Sequence, residues 1–306
     1  MVAEPLLSTV HSPLSSLPVH CPLGVAEVSV RQFLSTPLFA ALPPFPTSIV
    51  AMFLAASAVV REPVVAVLAR PNFVEPEHLP VQWVGESTDG ERLAEFAGRL
   101  CHMSQRNPAG RSTRDYLENI KKQGHGSVLE HANYSLLIEG VSRSLTHELV
   151  RHRAGFAYSQ LSQRYVDESA AHFVMPPAII GDASLEAAWV AQMAIALDCY
   201  VTLVDSLMSR YAWVDDKMHR RKMAREAARG VLPNSTETKI VVTGNARAWR
   251  TMLELRSSEA AELEIRRMAV MVLRVLQPEA PAFFGDFEIY NAADRREASR
   301  IAYHKV

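Results

Sequence analysis

The segment RHRAGFAYSQLSQRY, which begins at Arg151, gathers side chains that bind anions. Its first three residues are Arg-His-Arg, and neighbouring cations repel one another unless an anion neutralises them. In the extended stretch that follows, Ser162 and Arg164 are spaced so that they point to the same side of the chain. A guanidinium offers a planar fork of donors and a hydroxyl adds one more, a combination that suits a phosphate group. The segment therefore predicts a local anion site.

A helix end is the simpler explanation for the Arg-His-Arg triplet. Ser142 is a suitable N-cap, and the spacing of Leu145 and Leu149 predicts a helix that ends in the triplet. Cations in a last helical turn are favoured by the helix dipole. The triplet alone leaves both explanations open, but a helix end does not account for the serine and arginine that follow.

Three more arginines lie downstream in predicted helical segments. Arg229 is in REAARGVLP, Arg247 in GNARAW, and Arg256 ends MLELR. A single arginine of this kind is most often solvated or paired with a carboxylate. Together with the first segment, the three could neutralise a diphosphate and a monophosphate in one cleft. The sequence alone does not show that they converge.

Overall charge and cysteine content exclude several classes of protein. The 306 residues carry a formal net charge of −1, so no global basic field favours nucleic-acid binding. Cys21, Cys101 and Cys199 are odd in number and widely spaced. This spacing argues against a disulfide framework or a zinc site and predicts a cytoplasmic protein. Cys199 lies in the apolar segment MAIALDCYVTLV and is predicted to be a buried thiol.

The first part of the chain differs from the rest. Residues 1–60 carry three charges, and the first 50 residues contain eight prolines, which disfavour helices and central strands. The apolar stretch 47–60 is shorter than the roughly 20 residues that span a bilayer. Residues 1–75 are therefore predicted to be a disordered extension, or upstream sequence before a start at Met52, and residues 76–306 to be the catalytic domain.

Helices outnumber strands in the predicted folded part. The apolar spacing predicts helices over 88–104, 142–153, 185–211, 215–230, 245–256 and 259–276, and strands over 133–141 and 238–244. Because helices and strands do not alternate strictly, the pattern favours an α+β fold over a doubly wound sheet.

Five ordered segments resemble the flavin-dependent thymidylate synthase family. The family has Arg-His-Arg followed after a spacer by Ser-x-Arg, and this chain has RHRAGFAYSQLSQR. The segment QGHGSVLEH from Gln123 resembles the family's His-Gly-(His-x)-Ser/Thr-x-x-Glu-His pattern. The remaining matches follow in the family's order and are SRSLTHELVRHR, REAARGVLP, and GNARAWRTMLELR with AELEIR.

The resemblance implies a homotetramer with a largely antiparallel central sheet and active sites between subunits. It implies reductive methylation of dUMP to dTMP, with methylenetetrahydrofolate as carbon donor and FAD reduced by NADPH. The residues that match FAD contacts are His125, Ser127, Arg151, His152, Arg153, Asn245 and Arg247. The residues that match dUMP contacts are Glu148, Gln160, Leu161, Ser162, Arg164, Arg229 and Arg256. Among these, Ser162, Arg164 and Arg229 are the predicted catalytic residues.

Two departures from the family pattern affect this assignment. Eight residues separate Arg153 from Ser162, one more than in the family, and Gly155 is placed to absorb the extra residue. Glu148 stands where some members have glutamine, and its carboxylate can still accept a hydrogen bond from the uracil N–H. Ser162 has no evident general base in the sequence and is interpreted as a substrate ligand rather than a nucleophile.

Three alternative functions stay open at this point. A nucleic-acid module would use the arginines for phosphates and Tyr158, Tyr165 and Trp249 for base stacking. A metal-dependent hydrolase would use four histidines, but their spacings do not place either pair on one helix face, so no metal site is predicted. A flavin- and folate-dependent RNA uracil methyltransferase lacks this motif set. No membrane or nucleic-acid partner is predicted.

Overall fold

An antiparallel sheet lies at the centre of the fold. The computed structural model describes residues 58–304 and 306. The strands there are β1 (Val59–Val60), β2 (Val64–Ala69), β3 (Asn133–Ser142), β4 (Phe156–Gln160), β5 (Phe173–Val174), β6 (Glu237–Asn245), β7 (Phe287–Asn291) and β8 (Glu297–Ile301). The central sheet has the order β2-β3-β6-β4, and all its pairs are antiparallel.

Helices cover this sheet, which confirms the predicted α+β fold with an antiparallel sheet. The α-helices are α1 (Asp89–Leu100), α2 (Thr113–Lys122), α3 (Arg143–Leu149), α4 (Ala183–Arg210), α5 (Lys217–Ala228), α6 (Ala246–Arg256), α7 (Leu263–Glu279) and α8 (Pro281–Phe284). Two 3₁₀-helices span Gly126–His131 and Arg229–Val231. The strand β1 pairs with β5 in parallel, and β7 forms an antiparallel hairpin with β8.

The alternation of apolar side chains explains how β3 and β6 pair. Leu136 and Ile138 of β3 are fully buried, and they lie opposite Val242 and Ile240 of β6. Successive residues of a strand point to opposite faces, so this register puts one face of both strands into the core. A slip by one residue would expose the whole apolar set.

Helix α7 completes the core with one apolar face. Its buried side chains include Ile265, Met268, Val272 and Leu276, at intervals of three or four residues. This spacing places them along one side of the helix. The fully buried Trp249 of α6 belongs to the same core cluster. The core therefore lies between the sheet and the pair α6 and α7.

Each of the two long central strands leads directly into a capped helix. The hydroxyl of Ser142 at the end of β3 accepts the amide of Leu145, and the side chain of Asn245 at the end of β6 accepts the amide of Ala248. Both are N-caps that satisfy an otherwise unpaired helical N–H. Glu264 of α7 accepts the Ser142 amide and hydroxyl, each at 2.8 Å. These bonds fix where α3 and α6 begin.

The predicted start of the folded domain at residue 76 is wrong. Strand β2, within the predicted extension, pairs with β3 along the edge of the central sheet. The sequence VVAVLA is apolar, but an edge strand can be identified only together with the strand it pairs with. That partner, β3, lies almost 70 residues later in the chain. The prediction for residues 1–57 falls outside the described residues.

Two further local predictions are wrong. Helix α3 ends at Leu149, before the Arg-His-Arg triplet, and the next amides bond three residues back, from Arg151 to Glu148 and from His152 to Leu149. Such bonds tighten the end of a helix. The chain after β4 is also not extended, because the amides of Tyr165 and Val166 both donate to the Ser162 carbonyl and form a turn.

Helix α4 has apolar side chains on its exposed faces as well as on its buried face. An 18-residue window in it is long and apolar enough to cross a membrane, and 28% of that window is buried. Length and composition of this kind also occur in core helices. Cys199 on α4 is exposed, which corrects the predicted burial, because an apolar run without a polar face does not indicate which side turns inward.

Candidate functional site

A cavity of about 360 Å³ opens where the α3–β4 connection meets the start of α6. Four of the residues predicted to bind FAD line it, and they are His152, Arg153, Asn245 and Arg247. Their segments are separated by about 90 residues in the chain and are joined by the pairing of β4 with β6, in which Phe156 lies opposite Gly244. The sheet therefore brings the Arg-His-Arg triplet and the GNAR segment to one place.

Gly155 is required at the wall of this cavity. Its φ is +76°, in the left-handed region that glycine adopts at little cost. A Cβ at this position would lie 2.6 Å from Nδ2 of Asn245 and 2.9 Å from Cβ of Ala248. The Asn245 amide donates to the Gly155 carbonyl at 3.2 Å. The backbone at the predicted turn of residues 154–156 thus packs directly against the cap of α6.

The segment QGHGSVLEH lies beside the same cavity. Arg247 Nη1 pairs with Glu130 Oε1 at 2.6 Å, and a Cβ at Gly126 would lie 3.0 Å from Arg247 Nε. His125 precedes and Ser127 follows this glycine in the chain, and the 3₁₀-helix packs against α6. The predicted FAD contacts from two distant segments are therefore neighbours.

Arg256 connects this cavity to a predicted nucleotide residue. Its Nε donates to Nε2 of His152 at 2.9 Å, and its Nη1 donates to Oε2 of Glu148 at 2.7 Å. Because Nε2 of His152 accepts a hydrogen bond from a guanidinium, the imidazole is neutral and carries its own proton on Nδ1. Burial lowers the pKa of His152 below 6.5, and the charge of Arg256 lowers it further.

Tyr158 holds the backbone beneath the triplet. Its hydroxyl lies 2.6 Å from the His152 carbonyl and 3.0 Å from the Leu149 carbonyl, so its single proton is shared between two acceptors. Burial raises the pKa of Tyr158 to about 12, which keeps the hydroxyl protonated. This contact explains how the chain leaves α3 and enters β4 with the His152 ring turned toward Arg256.

The far end of β4 carries the predicted substrate contacts. Gln160 Nε2 donates to the hydroxyls of Thr146 and Thr238 at 3.1 and 3.2 Å. The amide of Leu161 donates to the Lys239 carbonyl at 2.9 Å. These bonds extend the antiparallel pairing past the last residue of β4 and fix the chain that leads into Ser162.

Arg164 has an incomplete set of partners at this end. Its Nη2 lies 3.3 Å from Oε2 of Glu226, and both side chains are more than a third exposed. Its Nε is buried and has no hydrogen-bond partner within the described part of the chain. The hydroxyl of Ser162 accepts the Arg164 amide at 3.4 Å. A buried donor without a partner is costly, which makes this guanidinium a suitable anion ligand.

Arg143 is a further cation at this end that the sequence analysis did not select. Burial lowers its pKa, Glu168 opposes this, and the charge of nearby Arg229 lowers the pKa further. Its Nη1 donates to the Leu161 carbonyl at 3.4 Å. The available signal was its place as the first residue of α3, where the helix dipole disfavours a cation.

Three of the seven predicted FAD residues, which are His125, Ser127 and Arg151, do not line the cavity of this chain. The side chain of Arg151 is exposed, and its Nε donates to the His147 carbonyl at 3.2 Å. It does not line the cavity that His152 and Arg153 line. Within residues 58–304 and 306, no group of three or more histidines, cysteines, aspartates or glutamates is placed to hold a metal ion.

Comparison with known proteins identifies the family. Residues 84–282 match the model of the thymidylate synthase complementing protein family. A flavin-dependent thymidylate synthase of Mycobacterium sp. (strain JLS) is 48% identical over 241 residues, which cover 77% of this chain and 94% of the relative. Proteins of the same name from Mycobacterium marinum and Mycobacterium tuberculosis are each 46% identical over 237 residues, with the same coverage. The chain belongs to the flavin-dependent thymidylate synthase family.

Proposed function

We propose that this protein methylates dUMP reductively to dTMP as a flavin-dependent thymidylate synthase. The family match spans every predicted site residue, and the similarity extends over most of each relative. The observation that carries the proposal is the double contact of Arg256, which joins His152 at the cavity to Glu148. A single guanidinium thereby places the predicted flavin and nucleotide sites next to each other, and hydride transfer requires the two ligands to lie close together.

The polar lining of the cavity beside β4 suits part of FAD. Arg153 and Arg247 supply cationic donors, and Asn245 adds an amide at the start of a helix, where anions are favoured. The bare backbone of Gly155 leaves space that a Cβ would fill. When FAD is bound and reduced by NADPH, it supplies the hydride for the reaction. His125, Ser127, Arg151 and His152 are the other proposed contacts.

The far end of β4 fits a nucleoside monophosphate. Arg164 has a buried Nε without a partner, and Arg229 adds a second cation, so a phosphate here would gain bidentate hydrogen bonds. Gln160, Leu161 and Ser162 line the same stretch of chain. We assign the uracil to Glu148 and Arg256, whose contact opens to admit its N–H and carbonyl groups. Binding energy at the phosphate then orients the uracil ring toward the flavin for hydride transfer.

Ser162 acts in this proposal as a ligand and not as a nucleophile. Its hydroxyl accepts the Arg164 amide, and within the described part of the chain no histidine or carboxylate hydrogen-bonds to it. A serine without a paired base is a weak nucleophile. The catalytic contribution of Ser162, Arg164 and Arg229 is therefore placement of the nucleotide and stabilisation of negative charge on the pyrimidine.

We also propose that the active enzyme is a cytoplasmic homotetramer that uses methylenetetrahydrofolate as the carbon donor. The cavity of one chain, about 360 Å³, is smaller than a whole dinucleotide needs, so neighbouring protomers would complete it. Exposed apolar side chains on and near α4 and α5, including Trp213 at 72% and Met218 at 79% exposed, are suited to such contacts. Light scattering of the purified chain tests this assembly.

The test of the function uses the full chain loaded with FAD. The expected result is formation of dTMP that requires dUMP, methylenetetrahydrofolate and NADPH together, with flavin absorbance in the purified protein. A matched control is Arg300→Ala, because Arg300 is an exposed arginine of β8 that pairs with Glu288 away from the site. Arg256→Ala should lose turnover and Arg300→Ala should retain it. A colourless protein that binds single-stranded nucleic acid would instead support the alternative function as a nucleic-acid-binding module.

A further inference from the structure

A second cavity, of about 410 Å³, lies away from the candidate active site. It is bounded by α7, by the connection between β7 and β8, and by the segment that follows β5. Arginines dominate its charged lining, and they are Arg266, Arg267, Arg274, Arg295 and Arg296, against the two glutamates Glu62 and Glu297. No residue of the proposed FAD or dUMP sites is among the residues that line it.

Three of these arginines already have firm partners. Arg266 pairs with Asp294, Arg274 pairs with Glu297, and Arg296 Nη2 donates to the Pro177 carbonyl at 2.9 Å. These contacts tie the hairpin connection to α7 and to the segment after β5. They make the walls of the cavity a built structure, with cationic groups held in place from three sides.

Arg267 is different, because much of its guanidinium has no partner. Nη1 lies 3.2 Å from Oε1 of Glu62, whereas Nε and Nη2 are buried and make no hydrogen bond within the described part of the chain. The Nε and Nη2 edge is a fork of two parallel N–H groups that matches two oxygens of one phosphate. Glu62 is 72% exposed, so it is a weak competitor for an incoming anion.

Arg295 provides the second free cation. It is exposed, and no carboxylate of residues 58–304 and 306 forms an ion pair with it. Its φ is +62°, an uncommon backbone conformation for a residue other than glycine. Arg295 lines, from the connection between β7 and β8, the same cavity that Arg267 lines from α7. Two guanidiniums from separate elements can therefore enclose one anion.

We propose that this cavity binds a phosphate monoester with an apolar organic group. Arg267 and Arg295 would hold the phosphate after Glu62 moves aside, since the long arginine side chain can turn its free edge toward the ligand. The remaining wall is apolar and is formed by Ile180, Leu263, Val270 and Met271. The volume of the cavity falls within the roughly 300–1,000 Å³ of small-molecule sites. The cavity is therefore larger than a bare phosphate needs.

Calorimetric titration of the full chain with phenyl phosphate tests the proposal. FAD and dUMP are present at one equivalent per proposed active site, which avoids an excess of dUMP that could compete for the second cavity, and ionic strength is held constant. The expected result is saturable binding to the wild type and at least tenfold weaker binding to Arg267→Gln. Arg295→Asn removes the second cation with a residue that accepts positive φ, and at least threefold weaker binding is expected. Benzoate should bind more weakly than phenyl phosphate if a dianion is preferred.

Arg300→Gln is the matched control, because it makes the same change at an exposed arginine of the neighbouring strand β8 that does not line the cavity. Its affinity for phenyl phosphate should equal that of the wild type. The proposal is overturned if the wild type does not bind phenyl phosphate, or if Arg267→Gln and Arg295→Asn bind it as tightly as the wild type does. It is also overturned if Arg300→Gln loses as much affinity as Arg267→Gln. Since Arg295 is exposed, Arg295→Asn keeps the test valid if Arg267→Gln does not fold.

The inference does not depend on the proposed function. Formation of dTMP is measured on the same samples, and Arg267→Gln should leave its basal rate unchanged. If every variant lacks dTMP formation but phenyl phosphate binding still requires Arg267, the proposed function fails and the second site stands. If dTMP forms but phenyl phosphate binds equally well to the wild type and to Arg267→Gln, the proposed second site is wrong and the proposed function is retained.

Discussion

The two ends of β4 differ in how far their polar side chains are already paired. At its start, His152 is held by Arg256 at 2.9 Å, and Asn245 is fixed as the cap of α6. At its far end, Arg164 has a half-exposed carboxylate at 3.3 Å and a buried Nε without a partner. Arg143 is close enough to Arg229 for that charge to lower its pKa.

This difference in pairing indicates what kind of ligand each end of β4 would bind. The first end is already organised by hydrogen bonds within the protein, so a ligand there gains mainly from shape and orientation. The second end holds cations whose mutual repulsion an anion would relieve. A phosphate should therefore contribute more of its binding energy at the far end than at the start of β4. Experiments that remove one end at a time can test this division.

The largest effect is expected from Arg229→Ala. Removing this cation should weaken dUMP binding by about 2–5 kcal/mol if the lost pair is buried in the complex, while flavin occupancy stays near that of the wild type. Calorimetry with dUMP on the FAD-loaded protein measures the loss, with Arg300→Ala as control. Unchanged dUMP affinity would contradict the assignment of the far end to phosphate.

A smaller effect is expected at the other end from Arg153→Ala. Loss of a charge-assisted hydrogen bond should lower flavin affinity by about 1.5–3 kcal/mol, with little change in dUMP affinity. The neighbouring Arg151→Ala is the comparison, since Arg151 does not line the cavity of its own chain. If both variants lose flavin equally, a neighbouring protomer must receive Arg151. If neither does, the cavity is not the flavin site.

Gly155→Ala tests the backbone at the cavity wall. Positive φ together with a Cβ only 2.6 Å from Asn245 Nδ2 should reduce the free energy of unfolding by about 1–3 kcal/mol. Gly110→Ala is a matched control, because Gly110 has a φ of +59° with nothing within 4 Å of its Cβ position. Urea denaturation measures both. Equal losses would mean that φ alone, and not the close approach, requires glycine here.

The pH dependence of stability probes the neutral state of His152. Its folded pKa lies below 6.5 because of burial and Arg256, so the unfolded chain binds more protons as pH falls through 6.5. Stability should therefore decrease on acidification below 6.5, and this component should be absent in His152→Gln. Denaturation of both proteins over a pH series measures the difference. The same slope in both would show that His152 is not its source.

The smallest effect is expected from Cys199→Ser. This thiol is exposed on α4, so its replacement should change stability within about 0.5 kcal/mol and leave both ends of β4 unaffected. Thermal unfolding and dTMP formation check the expectation. A large loss of stability would mean that an assembly of chains buries this position.

Local patterns were sufficient for most of the helices. The Glu91 side chain accepts the backbone amide of Thr88 before α1, and Asn245 caps α6, both within segments whose apolar spacing predicts a helix. These interactions involve residues a few positions apart, so the sequence shows them directly. The end of α3 was not predictable in this way, because the Tyr158 and Arg256 contacts that hold His152 outside the helix come from other elements.

The types of residue at the candidate site are evident from sequence, but their partners are not. The motif order alone indicates an anion site with arginine, serine and histidine, since these side chains have fixed chemistry. It does not show that Arg256 is shared between His152 and Glu148, or that Arg143 lies near enough to Arg229 to feel its charge. Those contacts depend on the pairing of β3 with β6, because α3 follows β3 and α6 follows β6.

The amino-acid sequence by itself determined the family, the α+β class and the set of anion-binding side chains, because motifs and apolar periodicity are local properties of the chain. Tertiary structure alone decided that the strand β2 joins the central sheet, which cations are paired, and which arginines are left with free donors. Pairing across a sheet and burial of a guanidinium depend on residues far apart in sequence, and only the folded chain brings them within hydrogen-bonding distance.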